Sequence, residues 1–122
     1  MKLRIKGDSL RLRVGPSEVQ RLIACGHIAE TIHFAPGVHL NYELQHSSAA
    51  ECIAVFHALH EVTVTVPTSA AQAWADSDDV GIYGEVPNGS GSLEVAVEKD
   101  FACLDPNHAG NRDTYPNPKA AC

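Results

Sequence analysis

Five positively charged side chains alternate with apolar ones at the start of the chain. They make up five of its nine lysines and arginines, namely Lys2, Arg4, Lys6, Arg11 and Arg13. Alternate side chains of a β-strand point to the same face, so the five cations are predicted to share one face of a hairpin that turns at Gly7-Asp8. Arginine presents a planar fork that matches phosphate and carboxylate oxygens. The pattern therefore predicts a surface that binds a small anionic ligand bearing phosphate or carboxylate.

Glutamates at alternate positions of three later predicted strands could meet this basic face. Glu85 and Glu94 are expected to be neighbours across the last hairpin, and Glu94 and Glu98 would pair with the cations if the last strand lies beside the first. Exposed ion pairs of this kind contribute only about 0–1 kcal/mol each. The predicted ligand-binding set thus combines both charges: Lys2, Arg4, Lys6, Arg11, Arg13, Glu43, Glu85, Glu94 and Glu98.

Two histidines are candidates for a metal site. If residues 35–37 form a three-residue loop, His33 lies opposite His39, with their Cβ atoms about 4.5–5.5 Å apart. Two imidazoles at that separation can share a zinc or copper ion, although the spacing indicates no third ligand. The alternative is that both are ordinary polar side chains on a solvated face. No cofactor is predicted other than such a divalent metal.

Composition and charge exclude several classes of protein. The chain has 122 residues and a formal net charge of −6 at pH 7, which suits one domain and argues against nucleic acid as a partner. No apolar run approaches the roughly 18 residues that a membrane span requires, and the N-terminus has no apolar signal region, so no membrane partner is expected. We therefore expect a cytoplasmic protein with reduced cysteines. Assembly into a homo-oligomer stays open.

Hydrophobic periodicity predicts eight strands and two short helices. Residues 1–45 and 51–99 are expected to be pseudo-repeats of a single α+β domain, each with the order ββαββ, and residues 100–122 an irregular tail packed on it. Ser17 with Gln20 has the spacing of a helix capping box. The sheet is predicted to be mainly antiparallel, and either strongly curved or closed into a barrel with a charged interior; in an open sheet the same charges would be solvated.

The tail carries further groups whose role the sequence leaves open. Cys103, His108 and Cys122 could gather a soft metal, but three donors without a fourth make a poor zinc site. Capping one end of the sheet is the simpler interpretation.

Two resemblances involve most of the chain. The opening MKLRIKG, the segment EKDFACL at 98–104 and the YPNP motif at 115–118 resemble a family of short bacterial proteins of unknown function. At fold level, the duplicated plan is similar to the triphosphate tunnel enzymes, whose eight-stranded barrel binds triphosphate and divalent metal. Those enzymes begin with a Glu-x-Glu-x-Lys strand, whereas this chain has Lys2-x-Arg4-x-Lys6, so only Lys6 matches.

Three classes of function follow from these patterns. The sequence favours a small binding protein over an enzyme, because none of the motifs GxSxG, HExxH, GxGxxG or GxxxxGK[ST] occurs and no catalytic residue is indicated. The resemblance to tunnel enzymes implies the alternative of a metal-dependent triphosphate hydrolase, with Glu43, Glu85, Glu94 and Glu98 holding the metal. The third class is a structural or oligomerisation module without a ligand.

Overall fold

Two hairpins and one helix make up each half of the chain. The structure, a computed structural model, describes residues 1–102 and 112–117. Its elements follow the predicted order, in chain sequence β1 (Lys2–Ile5), β2 (Ser9–Val14), α1 (Pro16–Cys25), β3 (His27–Ala35), β4 (Val38–Ser47), β5 (Ala54–Ala58), β6 (Glu61–Pro67), α2 (Thr68–Ala75), β7 (Gly81–Pro87) and β8 (Ser92–Lys99). Neither helix in these described residues is long and apolar enough to cross a membrane.

The eight strands form two open sheets of four. The first sheet has the order β1-β2-β8-β7 and the second sheet the order β3-β4-β6-β5, so each sheet takes one hairpin from each half. Strands within a hairpin are antiparallel, but the two central pairs, β2 with β8 and β4 with β6, are parallel. The α+β class is confirmed. The predicted strongly curved sheet or closed barrel is wrong, and the sheets are mixed instead of mainly antiparallel, because the hairpins join in parallel and each sheet stops at four strands.

The first hairpin forms as the alternation predicts. Lys6 and Ser9 exchange backbone hydrogen bonds of 3.2 and 3.0 Å around the turn, where Gly7 has a φ of +53°. Glycine adopts this left-handed conformation without a steric cost. Leu10 and Leu12 face the core, and their charged neighbours face solvent.

Helix α1 begins two residues earlier than the predicted capping box suggests. Gly15 is the N-cap, Pro16 takes the first helical position, and the Glu18 carboxylate accepts a 3.0 Å hydrogen bond from the Gly15 N–H. The predicted capping box of Ser17 with Gln20 is therefore wrong, because Pro16 suits the first turn and places Ser17 inside the helix.

One core lies between the helices and the apolar faces of the two sheets. Trp74 of α2 is its largest fully buried side chain, and the indole N–H donates to the Val80 carbonyl at 3.0 Å. Helix α1 contacts β3 and β4, α2 contacts β4, β6 and β7, and the helices contact each other. Because the apolar faces point inward, the charged face of the first sheet is left exposed.

The described parts of the tail pack on this domain. Phe101 and Tyr115 form a parallel bridge, and the Tyr115 N–H donates to the Asp100 carbonyl at 2.8 Å. Three of the tail residues considered above, Cys103, His108 and Cys122, lie outside the described residues.

Candidate functional site

Cations and carboxylates occupy separate halves of the polar face of the first sheet. Strand register places them in rows across the strands, with the positive charges on β1 and β2 and the negative charges on β8 and β7. One row is Lys2, Arg13, Glu98 and Gly81; the next is Arg4, Arg11, Ala96 and Tyr83; the third is Ser9, Glu94 and Glu85.

Like charges lie directly opposite each other within each half. Arg4 pairs with Arg11 across β1 and β2, as Lys2 does with Arg13. Glutamates 85 and 94 are opposed in the same way across β7 and β8. Directly opposed like charges destabilise a sheet. The polar face therefore contains electrostatic repulsions, which would be absent if each pair of opposed residues carried opposite charges.

Glu98 connects the two halves of this face. One carboxylate oxygen accepts from Arg11 Nε at 2.8 Å, and the other accepts from the Tyr83 hydroxyl at 2.7 Å. Partial desolvation of the hydroxyl, followed by its hydrogen bond to Glu98, raises the pKa of Tyr83 to about 12. The phenol therefore stays protonated and keeps donating to Glu98 across the neutral pH range.

Beside this bridge lies a cleft of about 560 Å³, which we call the polar cleft. The polar side chains that line it are Arg4, Lys6, Ser9, Arg11, Tyr83, Glu85 and Glu94, and the small Ala96 lies among them. In the part of the chain that the structure describes, neither Arg4 nor Lys6 forms an ion pair. Within the described residues, the cleft thus presents two cations without an ion-pair partner next to Arg11.

Most of the predicted ligand-binding residues share this sheet face, although not all of them line the cleft. Arg13 and Lys2 lie one row away, and Lys2 Nζ contacts the carboxylate of Asp100 at 2.6 Å, where Asp100 is only 5 % exposed. Glu43 lies on β4, opposite Ala29 and Thr63 in the second sheet. The four glutamates considered as metal ligands are consequently split between two sheets.

Sequence reasoning missed Tyr83 and Ala96. The signal for Tyr83 was present, because it lies two positions from Glu85 and alternation places both on one face. Ala96 lies between Glu94 and Glu98 by the same rule, but a small side chain marks a cleft only when its neighbours across the strands are known.

The histidine pair lies elsewhere, on the outer face of the second sheet. His33 and His39 are opposed as predicted, with ring centroids 6.2 Å apart, and the ring of His60 stacks on His39 at 5.0 Å. Among residues 1–102 and 112–117, no group of three or more His, Cys, Asp or Glu side chains is placed to hold a metal ion. A metal at His33 and His39 stays a prediction.

Comparison with known protein families assigns the chain to a family. A model of a family of unknown function, DUF7009, matches residues 1–119. The chain belongs to this family. The match confirms the resemblance that the opening and closing motifs indicated. No curated protein and no solved structure matches the chain, and the likeness to the triphosphate tunnel enzymes is not confirmed.

Proposed function

We propose that this DUF7009 protein binds a small anionic ligand in the polar cleft, with Arg4, Lys6 and Arg11 holding the anion. The observation that carries the proposal is the direct opposition of Arg4 and Arg11 at the rim of a cleft where Arg4 and Lys6 have no ion pair within the described chain. A phosphate or carboxylate placed between two guanidinium groups would replace their repulsion with charge-assisted hydrogen bonds.

The carboxylates across the cleft give the ligand an orientation. Glu85 and Glu94 line the opposite side, so an anionic group is repelled there and attracted towards β1 and β2. Arg11 is already held by Glu98, which fixes its guanidinium in place before a ligand arrives. A positioned group loses less conformational entropy on binding than a mobile one.

Thermal unfolding in the presence of phosphate, pyrophosphate or ATP tests the proposal. A ligand at about one hundred times its Kd stabilises the folded state by about 2.7 kcal/mol, which should raise Tm by roughly 10 °C for at least one anion. Arg4→Ala should lose most of this rise. Arg13→Ala is the matched control, because Arg13 shares the face but does not line the cleft. If none of the three anions shifts Tm at low ionic strength, the proposal fails.

A second candidate function, self-association, is favoured by the exposed β3–β4 hairpin. Ile32, Phe34 and Val38 on this hairpin are 45, 63 and 49 % exposed. Residues 31–42 contain no Asp, Glu, Lys or Arg in a chain of net charge −6. Strand β3 is also an edge of the second sheet, with backbone groups available to another strand. We infer that two copies meet here, where their net charges repel each other least.

Light scattering coupled to size exclusion tests this second candidate. The parent protein should have the mass of a dimer, and Phe34→Glu should have that of a monomer, because a carboxylate in the contact would lose its hydration. Val80→Glu, at another exposed apolar position (47 % exposed), should leave the dimer intact. A parent protein that is monomeric at every concentration tested contradicts self-association.

A further inference from the structure

Among the residues that the structure describes, Tyr83 is the one aromatic side chain that lines the polar cleft. Its side chain is 59 % exposed, although most aromatic rings in a folded domain are buried against apolar neighbours. The hydrogen bond from its hydroxyl to Glu98 anchors the far end of the ring. A ring fixed in this way offers an aromatic surface at little entropic cost to a ligand that stacks on it.

Space for such a ligand lies between Arg11 and Tyr83. These residues belong to one row of the sheet and are separated by the single strand β8, which places their backbones about 10 Å apart. The residue between them is Ala96, and its small side chain leaves a depression in the surface of the sheet. Arg11 and Tyr83 are both held by Glu98, so the gap between them is closed on that side.

The cleft is also larger than a bare anion requires. Its volume of about 560 Å³ falls within the range of pockets that enclose whole small molecules, about 300–1,000 Å³. Arg4, Lys6 and Arg11 account for the anionic end of the ligand. Ala96 and Tyr83 follow Arg11 in the same row, on the side away from Arg4, so the cleft continues past Arg11 over Ala96 to Tyr83.

We infer that the ligand carries its anion on an aromatic ring, and that this ring lies over Ala96 and stacks on Tyr83. The inference rests on the proposed anion-binding function and specifies the class of ligand: an aryl phosphate or an aryl carboxylate. Arg4, Lys6 and Arg11 bind the anionic group, and Tyr83 selects the ring.

Calorimetric titration with matched pairs of anions tests this inference separately from the proposed function. Phenyl phosphate should bind about three- to tenfold more tightly than methyl phosphate, as expected for one offset-stacked aromatic pair. Benzoate compared with acetate makes the same test for carboxylates and shows which anionic group the cations prefer.

Two substitutions locate the effect. Tyr83→Ala should remove the preference for phenyl phosphate over methyl phosphate, whereas Tyr83→Phe, which keeps the ring, should retain most of that preference. Ala96→Val should weaken the binding of phenyl phosphate more than that of methyl phosphate, because the larger side chain occupies the space of the ring.

The possible outcomes distinguish the inference of an aromatic ligand from the proposed binding of an anion. Equal affinity for phenyl and methyl phosphate would overturn this inference and leave anion binding in place. A preference for phenyl phosphate that survives Tyr83→Ala would also overturn it, because the ring would then be selected elsewhere. Binding of none of the four probes would overturn both this inference and the proposed function.

Discussion

At the scale of single residues, Glu98 determines how the polar face is organised. It holds Arg11 from the basic half and Tyr83 from the acidic half, and its own side chain is only 16 % exposed. Alternation along the strands predicted which face Arg11 and Glu98 occupy. Their contact was predicted only on the condition that the last strand lies beside the first, because the pairing of β2 with β8 joins residues that are far apart in the sequence.

Replacing Glu98 should change the titration of Tyr83. The pKa of Tyr83 is raised to about 12 mainly by partial desolvation of its hydroxyl, and secondly by the hydrogen bond to Glu98. Glu98→Gln should therefore lower this pKa towards the ordinary value near 10. Because the pKa of Tyr83 is higher in the folded state than in the unfolded state, the protonated hydroxyl contributes its full stabilisation of the folded state below about pH 10. This contribution is lost as the pH rises towards 12.

Ultraviolet titration, taken as the difference between the parent and Tyr83→Phe, isolates this one phenol from Tyr42 and Tyr115. The same difference measured in the Glu98→Gln background gives the shift. An unchanged pKa of Tyr83 in that background would show that Glu98 does not hold the hydroxyl.

At the scale of elements, the strands and helices were predictable, whereas the N-terminal cap of α1 was not. The periodicity placed both helices and all eight strands close to their observed bounds. The cap of α1 escaped prediction because part of it comes from the tail: Asp113 accepts hydrogen bonds from the Ser17 N–H at 3.1 Å and from the Ser17 hydroxyl at 2.6 Å. A glycine N-cap has no side chain, and Asp113 provides the missing carboxylate.

Removing this carboxylate should destabilise the helix end and the tail together. Asp113→Ala should lower the free energy of unfolding by about 0.5–1 kcal/mol, the lower part of the range for an N-cap, because the site is exposed. Hydrogen bonds from Ser17 lower the pKa of Asp113, so its contribution is present above the ordinary value of 3.8 and is lost as pH falls below it. Urea unfolding at pH 7 and at acid pH measures both effects.

A double-mutant cycle provides the control for that prediction. A Cβ on Gly15 would collide with the Asp113 backbone and carboxylate, so Gly15→Ala should displace the same segment. If the tail docks as described, Gly15→Ala and Asp113→Ala should be far from additive. Full additivity would mean that the two residues act independently.

At the scale of the whole molecule, the candidate site forms because the first sheet combines one hairpin from each half of the chain. The cations lie on β1 and β2 of the first half and the carboxylates on β7 and β8 of the second, and only the parallel pairing of β2 with β8 joins them. The sequence predicted the charged faces, but it contained no information on which hairpins pair. For the same reason it could not distinguish a closed barrel from two open sheets, or foresee that Glu43 lies apart from the other glutamates.

An anion bound between Arg4, Lys6 and Arg11 should change the backbone amide resonances of the strands around it. Mapping these resonances by NMR during a pyrophosphate titration is the most direct test of anion binding at this position. Anion binding at this position predicts saturable shifts in β1, β2 and the adjoining part of β8, which are absent in Arg4→Ala and retained in Arg13→Ala. Saturable shifts confined to the second sheet, or no saturable shift at all at low ionic strength, would contradict it.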